Sequence, residues 1–440
     1  MMYATVVLVA ASVTTASAQA NRDAKASQLL DVMLEVNGAY DTDASQDLTF
    51  PSPIPGQIQP QGYSAWGVGS LNYVRRYARA ELQAVASSAV RYLPDFQEFH
   101  SVMHTGGVSI ATSLPSRFGL KANASLAYSP SYLYSLFPTL PSASDAQPVL
   151  DYSDPYDLDP SSSYSSSSSI ELERRLSRRS SISVLANFSN TNFSNESAAE
   201  IPTVPTEITT RPDLTVYSIG GRFSRNISRD NALTAGYTYT TGEFGYRVGR
   251  TTASHSINVG FNTSRPVSGS RRVTLSVSVG GSAVDVPEEA AQFGAVRQYR
   301  GDAEVSASYP ISRTWQLRGS YTRGLQYVAG LPRPVFADGF TGEVNGRVLR
   351  RIDVLGRASR AAGQSVVTRE TLLDTYTSEL KVMYLVTRQL SAYVDYIHYM
   401  FDSGGELDTP QIPLVTGIPA DLKRDTIHVG LSWQVPAFRK

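Results

Sequence analysis

Apolar and polar residues take turns along most of this chain. The segment from Asp425 to Phe438 shows it most plainly: Ile427, Val429, Leu431, Trp433 and Val435 fill every second position, with His428, Gly430, Ser432 and Gln434 between them. A period of two sends these sets to opposite faces of a strand. The apolar face lasts about ten residues, the length of a tilted strand that crosses a bilayer. Near the amino terminus, Leu30, Val32, Leu34, Val36, Gly38 and Tyr40 alternate with Asp31, Met33, Glu35, Asn37 and Asp41. Leu82, Ala84, Ala86, Val90 and Tyr92 alternate with Glu81, Gln83, Ser87 and Arg91, and Phe118 to Tyr128 repeats the rhythm. Further runs centre on Val184, Ile219, Tyr237, Val259, Val277, Val305, Leu317, Val344, Val354, Val382 and Val394. The pattern predicts about eighteen strands, with sixteen also compatible. Past the amino terminus no run reaches the roughly 18 apolar residues of a spanning helix. Lipid cannot satisfy an open sheet edge, so membrane-crossing strands must close on themselves. The expected fold is all-β: a transmembrane, antiparallel, up-and-down β-barrel.

Short connections alternate with long ones, and charge sorts the same way. The short set carries Arg75, Arg76, Arg174, Arg175, Arg178, Arg179, Arg271, Arg350 and Arg351. The long set carries Asp43, Asp47, Asp151, Asp154, Asp157, Asp159, Glu196, Glu200, Glu207, Glu288 and Glu289. Short periplasmic turns and long external loops alternate in this way in outer-membrane barrels. Residues 1–18 hold an apolar centre and small residues at Ala16 and Ala18, the pattern of a secretory signal peptide. The expected organisation is signal peptide 1–18, a short periplasmic amino terminus 19–27, and barrel 28–438, with no plug domain before the first strand.

Composition narrows the function. The 39 basic and 39 acidic residues of the 440 balance, which gives no reason to expect nucleic acid as a partner. The absence of cysteine excludes a disulfide scaffold, thiolate metal sites and cysteine catalysis. Both signs fall on the polar faces: Glu35, Glu81, Arg91, Arg300, Asp302, Glu304, Arg318, Glu343, Arg347, Glu379 and Lys381 are the candidate lumen-facing residues. Apolar outside and charged inside predicts a wet lumen, and mixed sign predicts no strong ion preference. A barrel of sixteen to eighteen strands is too wide for side chains alone to fill. The connection at Pro130–Ser163 is long enough to constrict it.

The carboxy-terminal segment also resembles the targeting signal of bacterial outer-membrane barrels, with His428, Gly430, Trp433, Val435 and Phe438 in the signal's places; Arg439 and Lys440 follow the aromatic that usually ends such chains. The mature chain as a whole resembles the porin-like class of these proteins. That resemblance implies insertion by the barrel-assembly machinery, contact with outer-membrane lipid and lipopolysaccharide, and passage of small solutes. The leading functional expectation is a passive diffusion channel without enzymatic activity or cofactor. The alternatives are a structural or adhesive surface barrel and a lipid hydrolase.

Little points to bound metals or catalysis. His100 and His104 share a strand face but lie about 13 Å apart, too far for one ion. His255 sits on an apolar face with no supporting motif. The acidic run Asp151, Asp154, Asp157 and Asp159 could gather calcium but lacks EF-hand spacing, and reads better as a solvated loop. The N-x-S tripeptides at Asn187, Asn192 and Asn226 follow from abundant Ser and Asn.

Overall fold

A computed structural model describes residues 27–42, 62–93, 99–129, 162–194, 213–245, 251–268, 271–285, 297–328, 334–366, 371–402 and 421–439. The signal-peptide expectation and the acidic residues of the long connections lie outside the described residues. The strands are β1 (Ser27–Asp41), β2 (Gly62–Arg76), β3 (Ala80–Leu93), β4 (Phe99–Leu114), β5 (Phe118–Ser129) and β6 (Ser163–Arg175). Then come β7 (Ser180–Phe193), β8 (Leu214–Asn226), β9 (Asn231–Phe244), β10 (Thr251–Ser268), β11 (Arg271–Asp285) and β12 (Arg297–Tyr309). Last are β13 (Trp315–Gln326), β14 (Val335–Leu349), β15 (Ile352–Ser365), β16 (Thr371–Leu385), β17 (Leu390–Asp402) and β18 (Asp421–Arg439).

Each strand pairs antiparallel with its neighbours in sequence, and β1 pairs with β18 as well as β2, so the sheet closes. The count is eighteen, the higher of the two expected. Following paired residues once round the wall returns to β1 displaced by about 22 positions, which tilts the strands roughly 40° from the axis. With strands about 4.8 Å apart, the wall is then roughly 36 Å across.

Alternation decides which way each side chain points. Leu34, Val36, Val259, Val279, Leu380, Val394, Val429, Leu431 and Trp433 are all exposed, on one face of their strands. Asn37, Asp41, Ser87, Arg91, Ser125, Glu343, Asp395 and His428 are buried on the other. A soluble barrel would reverse this, hiding the aliphatic face and wetting the polar one. A continuous exposed aliphatic surface around a closed wall is stable only against lipid.

The eight short connections, from β2–β3 to β16–β17, form one end of the barrel. Four of them repeat one local device: an apolar residue, then Ser or Thr, then Arg. Ser177 Oγ accepts from the N–H groups of Arg179 (3.1 Å) and Ser180 (3.0 Å). Ser312 does the same for Thr314 and Trp315, and Thr387 for Gln389 and Leu390. At the fourth, Ser228 Oγ takes the N–H of Asp230 at 3.3 Å. The hydroxyl replaces a ladder partner where the chain reverses. This repeat, Leu176–Arg178, Ile227–Arg229, Ile311–Arg313 and Val386–Arg388, lay open in the sequence.

Candidate functional site: the inner wall of the barrel

The eleven residues expected to face the lumen all sit on the face opposite the aliphatic band, and most are paired. On β13 to β17 they form a chain of alternating sign. Arg318 Nη1 lies 3.1 Å from Glu343 Oε1. Arg357 bridges Glu343 (3.6 Å) and Glu379 (3.3 Å). Lys381 lies 3.7 Å from Asp395 and 4.7 Å from the centre of the Tyr393 ring. The Tyr393 hydroxyl carries the chain on to Glu35 of β1. Arg300 donates to the Val366 carbonyl at 2.6 Å, and Asp302 accepts from Ser282 (2.9 Å) and Ser256 (3.3 Å). Glu304 is exposed, between Ser278 and Thr322 in register. Two of the eleven stand near the turn end: Glu81 beside Arg76 at 3.0 Å and Arg347 beside Asp353 at 2.7 Å.

Several members of this wall were missed by sequence reasoning. Arg357, Asp395 and Asp353 could have been found by carrying the period of two through β15 and β17. The tightest group could not. Arg424 of β18 grips Asp41 of β1, its Nε at 2.9 and 2.8 Å from the two carboxylate oxygens and its Nη2 on Oδ2. Arg91 of β3 stands 4.0 Å from the same carboxylate and lies over Trp66. All three ionic side chains are at most 3% exposed. The gripping residues are 383 positions apart in sequence and meet only because the barrel closes.

The remaining arc is different. From β6 to β11 the inner positions above Glu171, Arg222 and Arg272 carry Ser, Thr, Asn and Gly, with Leu185 and Val216 among the few apolar ones. These groups bond sideways along the wall: Ser125 to Ser167 (2.7 Å), Asn123 to Ser169 (3.0 Å) and Asn187 to Ser218 (2.9 Å). Near the turn end, Glu171 holds Lys121 (3.2 Å) and Arg222 (3.0 Å).

At the long-connection end the wall leans inward. Pairing of β12 with β13 stops at Ala303–Arg323, while β13 and β14 stay paired up to Gln326–Val335. The free tip carries Tyr327 to β9 and β10, where its hydroxyl lies 3.3 Å from the Thr252 carbonyl and 3.4 Å from Ser254 Oγ. Its ring rests on Gly242, where any Cβ would overlap it. Beneath the tip, Phe336 packs with Val284, Val366 and Leu325. The connection at Pro130–Ser163, expected to constrict the lumen, lies outside the described residues apart from its last two positions.

On the outer face, rings gather toward the long-connection end: Tyr40 with Tyr63, His104 with Tyr128, Phe188 with Tyr217, and Tyr239 with His255. His255 Nδ1 also meets the Tyr237 hydroxyl at 2.8 Å, so this histidine belongs to an aromatic belt. His100 and His104 stand four positions apart on β4, and among the described residues no three His, Asp or Glu side chains gather as metal ligands. On β18, Trp433 and Phe438 are exposed, whereas His428 and Gly430 are buried on the inner face. Gly430 has a local reason to be glycine: a Cβ there would stand 2.6 Å from the Tyr393 ring.

A closed wall with a lipid-facing band, an aromatic belt and a charged interior defines a transmembrane β-barrel of the outer-membrane type. No protein-family model and no curated protein matches the sequence. Solved structures of similar architecture include Pseudomonas aeruginosa OccK7 (OpdD), at 12% identity over 94% of this chain and 100% of that one, with a TM-score of 0.45. Pseudomonas aeruginosa OccK2 (OpdF) in complex with glucuronate is 8% identical over 93% and 98% of the two chains, with a TM-score of 0.46. Acinetobacter baumannii OccAB3 is 10% identical over 94% and 99%, with a TM-score of 0.44. These likenesses are of architecture.

Proposed function

We propose that the chain is a porin-like channel of the bacterial outer membrane through which small solutes diffuse passively. The observation that carries this reading is the width of a closed eighteen-stranded wall whose inner face is polar. A wall roughly 36 Å across, lined on both sides by side chains reaching in by about 7 Å, keeps a bore of roughly 20 Å below the mouth. Water wets such a bore, and the β13–β14 tip narrows its outer end. In this reading Glu35, Glu81, Arg91, Arg300, Asp302, Glu304, Arg318, Glu343, Arg347, Glu379 and Lys381 line the path. Because guanidinium, ammonium and carboxylate groups alternate and pair, their fields largely cancel within a Debye length of about 8 Å. Weak ion preference follows.

The same reading assigns the rest of the chain. Residues 1–18 direct export and are removed. His428, Gly430, Trp433, Val435 and Phe438 present β18 to the barrel-assembly machinery. The outer band meets lipid and lipopolysaccharide. No catalytic role falls to His255. Purified, refolded barrel added to a planar bilayer should give stepwise increases in current. A folded barrel that gives no steps would instead be a surface barrel acting through its external connections.

A further inference from the structure

The inner wall from β6 to β11 carries hydroxyl and amide groups in place of charge above its turn end. Its hydroxyl and amide groups stand in rows set by strand spacing, about 4.8 Å apart across strands and about 6.7 Å along them. Asn123, Ser167, Ser169, Asn187, Ser189 and Ser218 line a recess of about 180 Å³, with Val216 and Phe188 at its edge. Ser169 and Ser218 accept from the Asn123 and Asn187 amides, which leaves their own hydroxyl protons to donate to a ligand. Opposite, charge is locked in pairs: Arg318–Glu343, Arg357–Glu379, Lys381–Asp395 and Arg424–Asp41. An anion or cation entering gains little from groups already neutralised. A neutral molecule rich in hydroxyl groups can trade its water for the rows of Ser, Thr and Asn without carrying charge out of solvent.

We propose that the recess on β5–β8 is a binding subsite for neutral, polyhydroxylated solutes of the sugar class. This rests on the channel reading above. Its small aliphatic edge at Val216 suits the C–H face of a pyranose, and the surrounding donors and acceptors suit its rim. Held along one side of the bore, the solute takes up part of its cross-section and lowers the ion current that passes beside it.

The test is current through single barrels in a planar bilayer with maltotriose added, compared with gluconate and with a polyethylene glycol of matching size. Maltotriose should interrupt the current at lower concentration than either comparator. In a Ser167→Val, Ser169→Val, Asn187→Leu, Ser218→Val barrel the half-blocking concentration should rise roughly five-fold or more, the loss of one or two net hydrogen bonds, with potassium chloride conductance largely kept. If that barrel does not refold, Ser167→Ala with Ser218→Ala is read by the same criterion. Current that maltotriose leaves untouched, stronger block by gluconate, or equal block of parent and variant would overturn the subsite and leave the channel standing. No current from folded parent would overturn the channel itself and the subsite with it.

Discussion

Asp41→Asn tests the closure of the barrel at its seam. The carboxylate lies between two guanidinium groups, and none of the three side chains is more than 3% exposed. The substitution keeps shape and volume while removing the one negative charge that Arg424 grips on both oxygens. Arg424 then keeps its charge, out of water, with an amide in place of a carboxylate. Breaking a buried pair by removing one partner costs about 3–5 kcal/mol. At about 1.4 kcal/mol per tenfold, the folding equilibrium shifts by roughly two to four orders of magnitude. Asp41→Leu combined with Arg424→Met removes both charges and should cost markedly less than the two single changes summed, a coupling of order 0.5–3 kcal/mol. The assay is equilibrium urea unfolding of barrel refolded into lipid vesicles, followed by the fluorescence of the three tryptophans. Stability of Asp41→Asn within about 1 kcal/mol of the parent, or strict additivity in the double variant, would refute the reasoning that this grip is a desolvated and coupled pair.

Further outcomes follow from the same geometry. Leu431→Arg, on the lipid face, should destabilise the refolded barrel by about 2–4 kcal/mol if it lies near the bilayer midplane, and Ser432→Arg, its inward neighbour, by far less; the same unfolding measurement reads both. Arg357→Gln removes the cation shared by Glu343 and Glu379 and should move the reversal potential in a salt gradient toward cation selectivity. Gly242→Val has no room beneath the Tyr327 ring and should displace the β13–β14 tip, read as a larger single-channel conductance with unchanged stability of the wall.

The fold was legible because a barrel in lipid writes one rule into every strand. The outer face must be apolar and the inner one need not be, so period two survives from Leu30 to Val435. Even β15, weak in outward aliphatics, joins the wall through backbone ladders with β14 and β16, and its inward Arg357 is held from both sides. Parity alone also placed all eleven candidate residues on one face. What parity cannot give is pairing between strands distant in sequence. Asp41 was visible on the polar face of β1, but its partner Arg424 stands just before the clean alternation of β18, and only closure joins them. The inward lean of β13–β14 was hidden for another reason. It depends on a glycine at position 242, four strands away, that makes room for one ring. The serine run of β6 shows no apolar alternation before Ile170, so its sequence does not say which hydroxyls face inward, yet alternate ones form the floor of the uncharged arc.

The most direct test of the account uses the absence of native cysteine. Single cysteines placed in turn at Leu275, Ser276, Val277, Ser278 and Val279 of β11, in barrel refolded into vesicles, are exposed to a charged maleimide that cannot enter lipid. The account predicts that Ser276→Cys and Ser278→Cys react, while Leu275→Cys, Val277→Cys and Val279→Cys are protected. Labelling that ignores the alternation, or reaches the odd positions and spares the even ones, would contradict a wall with lipid outside and water within.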